Sequence, residues 1–378
     1  MSQDIAAQID QLLEQAGTLP DSPAKVALIE QAVRLADTHH DLELGFRTRK
    51  ELMKAGTFGG APEKALVAFT WCVAQCDRDA ETFDITELLW EFKWVVNSLR
   101  CFPTIGRPRI EEALDDMTRR YEKVGMGLRP VHKLRCRFAM HRGDRDAAQK
   151  YQRLWRTAPA GWGSDCPACE QDDQVDYLVF LGKDDRALEQ ARPILQGRMK
   201  CAEVPHVTYA KVLLPLLRLG RLDEAAEYHR RGYRLLADMR DLLEETGDHL
   251  AFLTLTGNLD RAVVLLEKHL SWALDTMALS RRFGFMQAAR LLALRLGQSG
   301  RPTIHLRLPK EFPAHRAEGE YTMAELAAWF EQDCRQLADQ FDRRNESDWF
   351  MTKVADLPRW TRWAVDYPLP APGKGQDS

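Results

Sequence analysis

The chain has 378 residues, 45% hydrophobic and 29% charged, with 53 Lys+Arg against 56 Asp+Glu and a formal net charge of −3. This balance argues against a histone-like polycation or a polyanion, and the length exceeds what one hydrophobic core usually fills, so several domains or one elongated array is expected. No apolar run reaches the roughly 20 residues that cross a bilayer; the leucine-rich stretch from Val212 to Leu219 is broken by Pro215 and Arg218.

The N-terminus carries an early Asp4 and Asp10 and lacks the basic-then-apolar order of a secretory signal, which predicts a cytoplasmic and reducing location. There the eight cysteines are expected as thiols or metal ligands and not as disulfides. Residues 1–99 carry an acidic excess, whereas residues 100–156 carry 15 Lys+Arg against 7 Asp+Glu. The basic middle contains Arg129, Lys133, Arg135, Arg137, Arg142 and Arg145, which suits phosphates or an acidic peptide, or else a solvated helix surface balanced by the acidic first third. A regulator that binds nucleic acid through this segment is one alternative for function, although no RNA motif or recognition helix accompanies it.

Helix-period stripes fill Val207–Leu219, Leu222–Leu236, Ala262–Ala273 and Phe285–Leu296. Strand-like alternation is confined to Ile304, Leu306 and Leu308, so an all-α protein is expected. Between helices a short phrase returns: Gly182 to Ala187, Gly220 to Ala225, Gly257 to Ala262 and, more weakly, Gly143 to Ala148. The alanines at 148, 187, 225 and 262 are 39, 38 and 37 residues apart. A Gly able to adopt the left-handed conformation ends one helix, an Asp caps the next, and a small Ala lets the two backbones approach.

At these residues the chain resembles the tetratricopeptide repeat superfamily, with a longer period than its usual 34 residues. The resemblance implies a right-handed α-solenoid of antiparallel helix pairs over residues 1–300, a concave face that binds a protein or peptide partner, and no enzymatic activity of its own. First helices line that face in the superfamily, which implicates Gln174–Phe180 and Tyr209–Arg218. Residues 301–320, rich in Pro and Gly, are expected as an irregular crossing segment, and 321–344 as one further helix. Trp349, Phe350, Trp360 and Trp363 follow, and they predict a C-terminal helical cap over 301–366, since aromatics efficiently cover a solenoid's last face. An aromatic ligand platform is the competing reading. Residues 367–378 are expected to be disordered.

The sharpest chemical signal is Cys166-Pro-Ala-Cys169 followed by Cys201 and His206. Two cysteines two residues apart can chelate one metal, and a Cys and a His further on complete a tetrahedron for one structural Zn2+. The CxxC precedes one helix pair and Cys201–His206 follow it, so the pair's return brings both segments to one edge. Asp165 or Glu203 can replace the histidine, and inert packed thiols or a redox sensor acting through the CxxC are the alternatives. The thioredoxin arrangement, however, needs a strand that is missing here. Cys72, Cys76, Cys101, Cys136 and Cys334 are expected in the core. His229, His249 and His269 recur at twenty-residue intervals but at unequal offsets from their alanines, which argues against a shared site. No phosphate-binding loop, nucleophile elbow or HExxH motif is present.

Overall fold

The computed structural model describes residues 2–370. Its helices, in chain order, are α1 (Ser2–Gly17), α2 (Pro23–Thr38), α3 (Leu42–Phe58), α4 (Pro62–Arg78), α5 (Leu89–Ser98), α6 (Arg107–Lys123), α7 (Arg129–His141), α8 (Arg145–Thr157), α9 (Pro167–Phe180), α10 (Asp184–Leu195), α11 (His206–Arg218), α12 (Leu222–Leu236), α13 (Leu243–Leu255), α14 (Leu259–Asp275), α15 (Leu279–Gln298), α16 (Met323–Asn345) and α17 (Trp349–Asp356). Short connections force successive helices to double back, and α1 with α2, α3 with α4, α7 with α8, α9 with α10, α11 with α12 and α13 with α14 pack as adjacent pairs.

The turns of the repeated phrase have one physical design. Gly143, Gly182, Gly220 and Gly257 all hold φ between 70 and 76°, where a Cβ is strained. The N–H that follows each glycine returns to a carbonyl five residues earlier, as Arg221 N to Leu216 O at 2.9 Å and Asn258 N to Leu253 O at 2.9 Å, the closure of a left-handed helix end. Ala148, Ala187, Ala225 and Ala262 are completely buried against the preceding helix. The expected aspartate cap holds at Asp144 alone, which accepts from Ala147 N at 2.9 Å. Asp184, Asp223 and Asp260 lie inside the first turn, where they meet the positive helix end and take Arg218, Tyr367 and Arg301 respectively.

Gly143 and Gly182 differ in what surrounds them. A Cβ on Gly143 would come 2.6 Å from the Trp349 ring, whereas one on Gly182 meets nothing within 4 Å. Gly143→Ala is expected to cost about 3 kcal/mol, combining left-handed strain with overpacking, against about 1 kcal/mol for Gly182→Ala. Equal urea midpoints for the two variants would contradict this collision.

The first helices α7, α9, α11, α13 and α15 touch in succession and form an inner row, while α8, α10, α12 and α14 lie outside it. The row curls until distant parts of the chain meet. A Cβ on Gly60, in the α3–α4 turn, would lie 3.0 Å from Arg240 Cβ in the 3-10 turn Arg240–Leu242. Arg344, near the end of α16, donates to the carbonyls of Arg100 at 3.2 Å and Phe102 at 3.1 Å and pairs with His141 at 3.1 Å. Cys101, Phe102 and Ala278 seal the same junction. These contacts bring distant parts of the inner row together around a cleft. The residues of Gln174–Phe180 and Tyr209–Arg218 are each buried or half-buried.

After α15, β1 (Thr303–His305) pairs antiparallel with β2 (Glu320–Thr322), Ile304 opposite Tyr321. Phe330, Phe341 and Phe350 are buried with Leu250, Leu266 and Phe285 in a single cluster, so the C-terminal segment shares its core with the last helix pairs. Trp349, Trp360 and Trp363 pack partly buried against it. Residues 367–370, expected at the start of a structureless tail, instead lie along the α13–α14 turn. Tyr367 N donates to Thr256 O at 3.1 Å, and Leu369 N to Asn258 Oδ1 at 2.9 Å. The rest of that expected tail, 371–378, lies outside the described residues. Among the described residues no helix is long and apolar enough to cross a membrane.

Candidate metal centre and interior charged cleft

Pro167 starts α9 with a preset φ, and Cys166 becomes its N-cap, its Sγ accepting from Cys169 N at 3.5 Å. The α9–α10 pair then returns the chain to the same edge, where Cys201 N bonds to Val204 O at 2.9 Å and holds the loop before α11. The three sulfurs converge: those of Cys166, Cys169 and Cys201 lie within 4.8 Å of one another, with Cys169 Sγ 3.2 Å from Cys201 Sγ. Three thiolates suit a soft cation such as zinc.

His206, expected as the fourth ligand, is not a member of this group. It opens α11, and its Nδ1 is buried without a hydrogen-bond partner. Asp165 is not free to replace it, because it accepts from Lys93 at 2.6 Å and from Lys133. Burial raises the Cys166 thiol, but hydrogen bonds from the Cys169 N–H and the neighbouring thiols outweigh this and leave it below its usual value. The Cys169 thiol is pushed well up, first by burial and then by Cys201 and Cys166. The remaining five cysteines are buried, and burial pushes Cys72 and Cys136 up to about 12. They behave as core residues.

The cysteines sit on the wall of a cleft of about 340 Å³ at the axis of the inner row, lined by α3, α5, α7, α9, α11, α13 and α15. Helical spacing aims charges into it: Asp172 and Asp173 from α9, Lys133 and Arg137 from α7, Lys211 from α11, Lys93 from α5. Lys133, only 5% exposed, bridges Asp165 and Asp173, the latter at 2.9 Å, and Arg137 also pairs with Asp173. Despite its burial, Asp173 is held well below the usual carboxylate range by Lys133 and Arg137. Asp172 accepts from Thr208 at 2.6 Å and from Lys211, yet burial keeps its carboxyl raised.

Most of the named cations of the basic middle pair within the chain. Arg129 pairs with Glu170, Arg135 with Glu111 and Asp115, and Arg142 with Asp144, while Lys133 and Arg137 face the cleft. Five of its six named cations are therefore committed within the chain, which the charge pattern alone did not reveal.

Of the three histidines at twenty-residue intervals, His229 and His249 meet, and Tyr233 links His269 to them. His229 Nδ1 lies 2.9 Å from His249 Nδ1, and Tyr233 OH bonds to His269 Nε2 at 3.0 Å.

No protein-family model matches the chain, and no curated protein matches it.

Proposed function

We propose that this chain is a non-enzymatic, tetratricopeptide-like right-handed helical-repeat protein of the cytoplasm that takes its ligand inside the closed superhelix. One zinc ion held by Cys166, Cys169 and Cys201 staples the cleft wall. The observation that carries this reading is the convergence of three thiols from segments 32 residues apart, on the wall of the single cleft that all the inner helices share. Zinc bound there supplies charge and a cross-link between the start of α9 and the loop before α11, with a fourth tetrahedral position left for water or a ligand atom. Support for a ligand in the cleft, and not a partner laid along an open face, comes from the burial of the inner-row segments and the ties at Gly60 and Arg344.

Metal analysis of protein purified without chelator tests the staple. About one equivalent of zinc is expected, and less than about 0.2 would overturn it. Cys201→Ser should lose the metal and melt at a lower temperature than the parent, because a cation bound only to the folded state stabilises it. An unchanged melting temperature would count against a structural role even if zinc were found.

The 3.2 Å separation of Cys169 Sγ and Cys201 Sγ favours a second reading, thiol redox sensing. A hydroperoxide would take two electrons and two protons from the pair, giving a disulfide, an alcohol and water. Near-unit zinc that survives peroxide treatment with all three thiols intact would exclude it.

A further inference from the structure

Four carboxylates, Glu203, Asp241, Glu244 and Glu245, line the cleft beyond the cysteines, and Asp248 continues their row one turn along α13. None of the five makes an ion pair among the described residues, in contrast to the carboxylates of α9. Asp241 is only 3% exposed, and its Oδ1 has no hydrogen-bond partner. A buried carboxylate oxygen left in this way costs free energy that a bound donor would recover.

The charges facing this row are few. Arg281 from α15 is the guanidinium nearest to Asp241, Glu244 and Glu245. Lys211 is committed to Asp172 and Arg137 to Asp173, while Asp176 and Lys353 act on Asp248 and Glu244 from the far side. Burial pushes the Asp241 carboxyl up to about 8 and that of Glu245 up to about 7, and raises Asp248 as well.

The arrangement selects among cations. A hard divalent ion needs several oxygens gathered on one point, and among the described residues only the cysteine group brings three ligand atoms within 4.8 Å of one another. From Asp241 in the 3-10 turn, Glu245 and Asp248 of α13 follow at steps of four and three residues, about one turn or roughly 5.4 Å each, a separation that a few methylenes between two ammonium groups can span. Trp90 and Trp94 form part of the opposite wall, and Lys93 Nζ already sits 3.4 Å from the Trp90 ring centroid, an ammonium on an aromatic face. A volume of about 340 Å³ holds a small flexible molecule and no folded segment.

We propose that this cleft binds a linear aliphatic polyamine, its ammonium groups seated along Asp241 of the 3-10 turn and Glu244 and Glu245 of α13, with Glu203 also on the wall, and its methylenes against Trp90 and Trp94. The inference rests on the reading that the ligand lies inside the superhelix, and it is independent of zinc. Asp241, raised to about 8 by burial, is expected to release its proton as the amine enters.

Calorimetric titration of the full chain with spermidine at pH 7.5 tests it, run in two buffers of different ionisation enthalpy, with Mg2+ as the comparison cation. The expected result is saturable binding with a buffer-dependent heat that reports proton release. Asp241→Asn and Glu245→Gln should each weaken binding about tenfold, the loss of one charge-assisted contact. Mg2+ at equal charge should not compete. The proposal is overturned by absence of saturable heat, by Mg2+ displacing spermidine at equal charge, or by wild-type affinity in both variants. Zinc is quantified in the same preparation. Zinc-loaded protein that fails to bind spermidine removes this inference and leaves the staple, whereas zinc-free protein that binds it does the reverse.

Discussion

Lys133→Met is expected to lower the stability of the chain by about 3–5 kcal/mol, the range for breaking a buried ion pair by removal of one partner. The lysine is 5% exposed and its ammonium lies between Asp165 and Asp173. Those two carboxylates raise its pKa against the opposing effect of burial, so the group is charged in the fold. Met keeps the length of the side chain and removes the charge, leaving Asp165 with Lys93 and Asp173 with Arg137. Each carboxylate then keeps one cation but loses the ammonium that bridged the two inside the buried network. Urea unfolding followed by circular dichroism measures the loss. A decrease below about 1 kcal/mol, typical of an exposed pair, would mean that water entering the cleft screens the network. The Lys133→Met, Asp173→Asn double variant should recover part of the loss, because it removes one of the two carboxylates that lose Lys133 as a partner.

Replacing both His229 and His269 with Gln is expected to make the protein relatively more acid-tolerant, by about 2 kcal/mol per histidine between pH 7.5 and pH 5. His269 is fully buried and His229 8% exposed, and burial pushes both down to about 4, with Arg261 adding to the effect at His229 and Lys268 at His269. His249, fully buried and facing His229, is held lower still. The unfolded histidines titrate near 6.5, so between about 6.5 and 4 the unfolded chain binds protons that the folded chain refuses. Stability contributed by these groups is complete above about 6.5 and falls as the pH drops toward 4. Asp241 and Glu245 work in the opposite sense. Their raised carboxyls keep protons in the fold, so their contribution is complete below the unfolded carboxylate range and is lost as the pH rises toward 7 and 8. The histidine effect is therefore read as the difference between variant and parent across pH, which cancels the carboxylates. Glutamine can replace the hydrogen bonds to His249 and Tyr233 without acquiring charge. A difference that stays constant from pH 7.5 to 5 would show that the cluster accepts protons freely and that burial does not exclude them.

Much of the chain's local structure was legible without coordinates. The Gly143, Gly182, Gly220 and Gly257 phrases located four turns, and Ala148, Ala187, Ala225 and Ala262 are the buried contacts of the helices that follow. These features depend on backbone conformation and side-chain size within a few residues, which a single sequence displays directly. The convergence of Cys166, Cys169 and Cys201 was also legible, because a helix pair of matched length returns to its starting edge. His206 was not placed, since the orientation of the first turn of α11 decides which way its ring faces and spacing does not encode that.

What only the tertiary structure decided is how far the array curls and which charges then face one another. Small rotations at each inter-helix contact accumulate along the inner row until Gly60 meets Arg240 and Arg344 reaches Phe102, contacts set by packing across residues far apart in sequence. That curvature gathers the inner row around a cleft. It also sets Lys133 of the basic middle against Asp165 and Asp173 and leaves the row from Asp241 to Asp248 without partners. Composition and periodicity determined the helices and their turns, because those energies are local. The pairing of buried charges is a long-range electrostatic outcome, and it exists only once the curvature of the whole array has brought the helices round to face each other.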